Sequence, residues 1–172
     1  MGGVDKGWVE LDGKPLIRYA IERFAPQVDE LLISANRNIG RYAALAYPVV
    51  SDTVDGFIGP LAGFHAAFGR ARHDWLATCP CDSPWLPLDL VERLWTRCSA
   101  GAASAAVAHT AQGAHPVFAL IHRDARDSLE RYLGAGNRRV QEWFQSLRCI
   151  AVPFEDEAAF RNLNTPDDLP SR

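Results

Sequence analysis

Short apolar runs punctuate the chain at 30–33, 48–51, 75–79, 104–109, 117–121 and 149–152. Runs of this length bounded by turn residues suit strands. Between them the apolar positions recur three and four apart. Leu16, Ala20, Ile21 and Phe24 share one helical face, as do Leu90, Val91, Leu94 and Trp95. Phe64 and Phe68 stand i,i+4 in a stretch predicted helical over 61–72. Further helices are predicted over 42–47, 87–98 and 123–133, and from Arg138-Arg139 through Trp143 and Phe144. Pro15 is expected at the first helical position of its helix, and Pro26 at its end. A short strand is predicted over 8–11, and Asp12-Gly13 and Gln112-Gly113 read as turns. The short link at Gln112-Gly113 makes 104–109 and 117–121 an antiparallel pair. Strand and helix thus alternate, with one hairpin inserted late. The pattern predicts an α/β fold, a three-layer α/β/α sandwich around a mostly parallel mixed sheet. No linker or internal repeat interrupts it, so one domain over 1–172 is expected.

Composition narrows the function classes. With 172 residues and a hydrophobic fraction of 48%, the chain can bury one full core. A net charge of −3 offers no basic face for nucleic acid. No apolar run approaches the ~20 residues that span a bilayer, and no secretory signal pattern opens the chain. The expectation is a cytoplasmic monomer without nucleic-acid or membrane partners. The four cysteines, Cys79, Cys81, Cys98 and Cys149, are expected to be reduced thiols. Cys79-Pro80-Cys81 lacks the second pair that a zinc site needs.

The candidate chemistry centres on Asp82. The run from Trp75 reads as a buried strand and stops on Pro80 and Pro84, which flank this aspartate. Ligands of open α/β sheets bind beyond the carboxyl ends of strands. A carboxylate held there suits Mg²⁺, which takes one or two carboxylates and fills its shell with water and phosphates. The competing reading is a helix or turn cap. Gly2-Gly3 with Lys6 resembles a phosphate-binding turn as much as a solvated terminus. Asp52 closes a predicted strand, as a ligand or as a turn residue. Arg138-Arg139 reads as a phosphate clamp or as a solvated helix face, and His115 before Pro116 reads as structural. Asn162 and Asn164 fall on one side of an extended segment and can act jointly, or can hold a turn. Thr165 and Pro166 carry a helix-start signal.

Taken in order, these pieces resemble the molybdenum cofactor guanylyltransferases, the MobA type of nucleotidyltransferase. The resemblance is carried by Gly2-Gly3-x-Asp5-Lys6-Gly7, Gly13-Lys14-Pro15-Leu16, Ala35-Asn36-Arg37, Asp52 and Gly59-Pro60-Leu61-Ala62-Gly63. It continues through Cys79-Pro80-Cys81-Asp82-Ser83-Pro84, His115-Pro116, Gly136-Asn137-Arg138-Arg139-Val140 and Asn162-Leu163-Asn164-Thr165-Pro166. It implies a Rossmann-like nucleotidyltransferase that joins the terminal phosphate of molybdopterin to the GMP part of GTP and releases pyrophosphate. It implies a GTP-binding half over about residues 1–100 and a molybdopterin-binding half over about 101–172. Carried onto this chain, Lys6 contacts the GTP phosphates. Ser34 and Asp52 line the nucleoside pocket with the Gly59 to Gly63 loop, and Asp82 holds Mg²⁺. Arg139, Asn162 and Asn164 face the pterin phosphate or orient the reacting groups. Molybdoenzymes or cofactor-insertion proteins are the implied downstream partners.

The chain departs from the family in two places. Some relatives carry asparagine where Ser34 stands. The family also has a strand and a glycine-rich loop, Leu-Ala-Gly-Gly with a following arginine, before the segment that begins here at Met1. That strand is central to the family's sheet, so its neighbours are expected to show open backbone edges and the chain alone to be marginally stable. The alternatives are a cytidylyltransferase acting on the same cofactor, a sugar-phosphate nucleotidyltransferase, or a truncated, non-catalytic cofactor-binding protein.

Overall fold

The computed structural model describes residues 5–52 and 59–163. Glu10–Leu11 (β1) and Lys14–Pro15 (β2) form a small antiparallel hairpin about Asp12-Gly13, which leads into the helix Leu16–Phe24 (α1). Ile33–Ser34 (β3) and Val49–Val50 (β4) pair in parallel, with the short helix Ile39–Ala43 (α2) between them in the chain. Pro60–Arg70 (α3) precedes Trp75–Thr78 (β5), and Leu90–Ser99 (α4) follows it. Ala105–Thr110 (β6) and Gly113–His122 (β7) form the expected hairpin. Arg126–Gly134 (α5), Val140–Gln145 (α6) and Cys149–Pro153 (β8) complete the regular elements.

The main sheet has the order β5-β7-β6-β8. β7 runs antiparallel to β5 and to β6, while β8 runs parallel to β6. Three of the four strands therefore point one way, with the late hairpin supplying the reversed strand. The register between β6 and β7 slips between Val107 and Ala108. Pro116 falls in the looped-out stretch, where its missing N–H breaks no ladder.

Alternation along the strands makes the layers. Ala106, Ala108, Phe118, Leu120 and Val152 face one way and pack with Ala20 and Phe24 of α1 and Leu90 and Leu94 of α4. Ala105, Val107, Ala119 and Ile121 face the other way, against Leu61 and Phe64 of α3, Leu129 of α5 and Trp143 of α6. The alanines of β6 leave room for the large side chains that the helices bring. This is the three-layer α/β/α arrangement that the periodicity predicts.

Several boundaries differ from the reading of the pattern. Pro15 belongs to β2 and α1 starts at Leu16, one residue later than expected. The strand read over 30–33 is ordered as a ladder only at Ile33–Ser34, because β3 has a partner on one side alone among the described residues. The helix read over 42–47 lies at Ile39–Ala43, between Asn38 at φ 51° and Ala46 at φ 64°. β5 was expected as a buried strand, yet all four of its residues are only half-buried. The cause is a cavity of about 1320 Å³. Ile33 and Ser34 of β3 line one wall and the whole of β5 lines another, with Ala20 of α1 and Phe64 of α3 between. Among the described residues β3 pairs only with β4 and β5 only with β7, so both strands have an open edge. No helix among the described residues is long and apolar enough to cross a membrane.

Candidate active site

Asp82 lies just beyond the carboxyl end of β5, in the turn between Pro80 and Pro84. The residue is 5% exposed. Burial pushes its carboxyl above the usual aspartate range, and the neighbouring Lys6 ammonium pulls the other way. Lys6 Nζ stands 3.6 Å from Asp82 Oδ2. That is longer than a direct charge-assisted hydrogen bond. Lys6 is carried on a 3-10 turn, Lys6–Trp8, closed by Trp8 N donating to the Asp5 carbonyl and Val9 N donating to that of Lys6. The expected strand over 8–11 survives only as β1, because this turn occupies its start.

A third segment closes on the same turn. Leu163 N donates to the backbone carbonyl of Asp82 at 2.9 Å. The fully buried Ser83 donates its hydroxyl to Asn162 Oδ1 at 2.7 Å. Asn162 is thereby held beside Asp82 by a hydrogen bond between residues 79 apart in sequence. Ser83 is a site residue that the reading of the chain missed, although it sits inside the Cys79 to Pro84 stretch that was singled out.

The strand ends of β3 and β4 supply the other candidates. Asn36 Nδ2 donates to Asp52 Oδ2 at 2.7 Å, and Asp52 N donates to Asn36 Oδ1 at 2.8 Å. This reciprocal pair fixes the Asp52 carboxylate, whose Oδ1 is buried without a hydrogen-bond partner among the described residues. Ser34 ends β3 and touches the start of α3: a Cβ added at Gly63 would lie 2.9 Å from Ser34 Oγ. The Gly59 to Gly63 segment, a loop in what the resemblance implies, is the N-cap and first turn of α3, whose start at Pro60 lies one residue before the helix predicted over 61–72. Gly59 takes φ 119°, a conformation that L side chains rarely adopt, and Pro60 opens the helix. Ser34, Asn36, Asp52, Gly59, Gly63 and Asp82 all line this cavity.

Arg139 is placed elsewhere. It is exposed at the N-terminal end of α6, where it donates to Glu142 Oε1 at 2.8 Å, and its described contacts do not include Asp82, Lys6 or Asn162. His115 packs flat on Phe160 and bonds Thr110, and burial lowers its basicity, in keeping with a structural part. Asn164, Thr165, Pro166 and the glycines at 2 and 3 lie outside the described residues.

The donor set fits a divalent cation held by one carboxylate. Among the described residues no group of three or more His, Cys, Asp or Glu side chains is placed to hold a metal. Cys79 and Cys81 are free thiols whose ionisation burial opposes, Cys81 being pushed up to about 12. Asp82 is a buried carboxylate that lines the cavity, which matches a cation that takes most of its ligands from water and phosphate.

Known proteins share both the sequence and this architecture. Residues 1–150 match the model of the MobA-like NTP transferase domain. The molybdenum cofactor guanylyltransferase of Shewanella woodyi is 46% identical over 168 residues, covering 97% of this chain and 86% of that protein. The crystal structure of molybdopterin-guanine dinucleotide biosynthesis protein A from Archaeoglobus fulgidus superposes with a TM-score of 0.78 at 25% identity, covering 96% of this chain and 87% of that one. A manganese complex of a Mycobacterium tuberculosis protein shares the fold, with a TM-score of 0.65 at 15% identity over 88% of this chain and 82% of that one. This chain belongs to the family of the molybdenum cofactor guanylyltransferases and carries its MobA-like NTP transferase domain.

Proposed function

We propose that this protein transfers GMP from GTP to the molybdenum-molybdopterin cofactor. A phosphate oxygen of molybdopterin forms a bond to the α-phosphorus of GTP, the bond from that phosphorus to the β-phosphate oxygen breaks, and pyrophosphate leaves. The observation that carries the reading is the gathering of Ser34, Asp52, Gly59 and Asp82 on one cavity, with Lys6 across from Asp82. Family membership favours guanylyl transfer over the cytidylyl, sugar-phosphate and binding-only alternatives.

Such a reaction asks the protein for position and charge stabilisation. Lys6 binds phosphate oxygens and offsets charge that develops on the leaving pyrophosphate. The open Oδ1 of Asp52 accepts from an N–H or O–H of the nucleoside, and Ser34 shapes the pocket beside it. Asn162, held by Ser83, orients the acceptor phosphate together with Asn164. Asp82 would hold Mg²⁺, which supplies neutralisation of the triphosphate. The enzyme acts as a cytoplasmic monomer whose product passes to molybdoenzymes or cofactor-insertion proteins.

The test is pyrophosphate release by the natural full-length protein with molybdopterin, Mg²⁺ and either GTP or CTP. GTP is expected to support turnover and chelation to stop it. Asp82→Asn is expected to lower kcat by about 10²–10³ with an unchanged circular dichroism spectrum. A CTP preference overturns the substrate, and normal turnover by the variant overturns the role of Asp82.

A further inference from the structure

Lys6 has a long stem on a short turn, and its side chain is 51% exposed. The backbone that carries such a lysine sets where its ammonium can reach. The structure shows what grips the turn. Both carboxylate oxygens of Asp5, the residue before Lys6, are bonded from the α2 segment. Tyr42 Oη donates to Oδ1 at 2.6 Å and Asn38 Nδ2 donates to Oδ2 at 2.9 Å. Tyr42 is 4% exposed.

Gly7, the residue after Lys6, lies between α2 and the Asp82 turn. A Cβ there would stand 2.5 Å from Tyr42 Oη and 3.4 Å from Cys81 Sγ. Only a glycine allows this approach. The next residue is held as well: the Trp8 ring lies 5.1 Å from that of Tyr42 and has the Arg41 guanidinium 3.9 Å from its centroid. Every residue around Lys6 on this turn is therefore fixed by Asn38, Arg41 or Tyr42. Burial and the Asp5 carboxylate hold the Tyr42 phenol above its ordinary range, so it remains a donor at neutral pH.

We propose that Tyr42 and Asn38 are positioning residues for Lys6, acting through Asp5 to aim the ammonium at the phosphate site beside Asp82. The proposal rests on the reading of Lys6 as the phosphate-binding cation. Neither residue touches the reacting atoms. Their effect must pass through the lysine, and this separates positioning from a merely structural part.

The experiment is a double-mutant cycle in the natural full-length protein, with kcat/KM for Mg²⁺-GTP as the readout. Tyr42→Phe keeps the ring and removes the hydroxyl. It is expected to lower kcat/KM about tenfold when Lys6 is present and by less than about twofold in the Lys6→Ala background. Equal losses in both backgrounds overturn the proposal, as does a Tyr42→Phe protein equal to wild type. If Tyr42→Phe does not fold, Asn38→Gly replaces it in the cycle. It removes the other bond to Asp5, and glycine tolerates the left-handed backbone found at Asn38, φ 51°. A Lys6→Ala protein that turns over normally removes the phosphate-binding lysine from the reading and the proposal with it. A wild type that transfers no GMP overturns the functional reading itself.

Discussion

On one side of β5 the strands are sealed, and on the other they are not. β6 and β7 each have partners on both edges, and Ala105, Ala106, Ala108, Ala119 and Ile121 are fully buried between the helix layers. Across the cavity, β3 and β4 form a ladder of two residues each and lean on a small cluster around Ile17, Ile33 and Tyr42. The candidate chemistry gathers on the less sealed side. Lys6, Ser34, Asp52 and Asp82 stand there, Asn162 is tied to it through Ser83, and Arg139 alone belongs to the sealed side. Packing that excludes everything leaves no room for a substrate. The site occupies the rim where strand ends and half-buried backbone still have free hydrogen-bonding capacity.

The sealed side rests on its core. Trp143 is fully buried among Leu129, Phe144 and the inner face of β6 and β7. Trp143→Ala is expected to cost about 3–5 kcal/mol in urea denaturation. Ile33→Ala borders the cavity already and is expected to fall at or below the low end of its range, about 2 kcal/mol. Equal losses would mean that the two sides are equally packed.

A smaller effect tests the link between the sides. Ser83→Ala removes the donor to Asn162 and is expected to lower stability by about 1 kcal/mol, with a loss of kcat larger than any rise in KM for GTP. A change confined to KM for GTP would detach Asn162 from the acceptor.

The smallest effect concerns Asp82 and pH. Burial raises its carboxyl above the ordinary value, so the folded chain holds that proton more readily than the unfolded chain. Stability from this residue is therefore lost as pH rises through the interval between the two values. Asp82→Asn removes the penalty and is expected to raise the thermal midpoint at pH 7, with the gain shrinking toward pH 4. A midpoint that falls at pH 7 would show that the Lys6 ion pair outweighs the burial.

Much of this was legible along the chain. The antiparallel hairpin was, because Gln112-Gly113 leaves no room for a crossover. So was the place of Asp82, since a proline-bounded turn acts over a few residues. Boundaries were less so. The strand over 30–33 shrank because a ladder needs a partner, and only β4 provides one among the described residues. The start of α3 moved by a single residue, from the predicted 61 to Pro60.

The sequence by itself determined the alternation of strand and helix, the layers, and which residue types stand at strand ends. The tertiary structure decided which of those residues meet: Lys6 with Asp82, Asn36 with Asp52, Ser83 with Asn162, and Tyr42 with Asp5. Local propensities and turn chemistry depend on near neighbours. An ion pair or hydrogen bond between distant residues exists only where packed helices and paired strands bring two backbones within reach, and no local pattern carries that information.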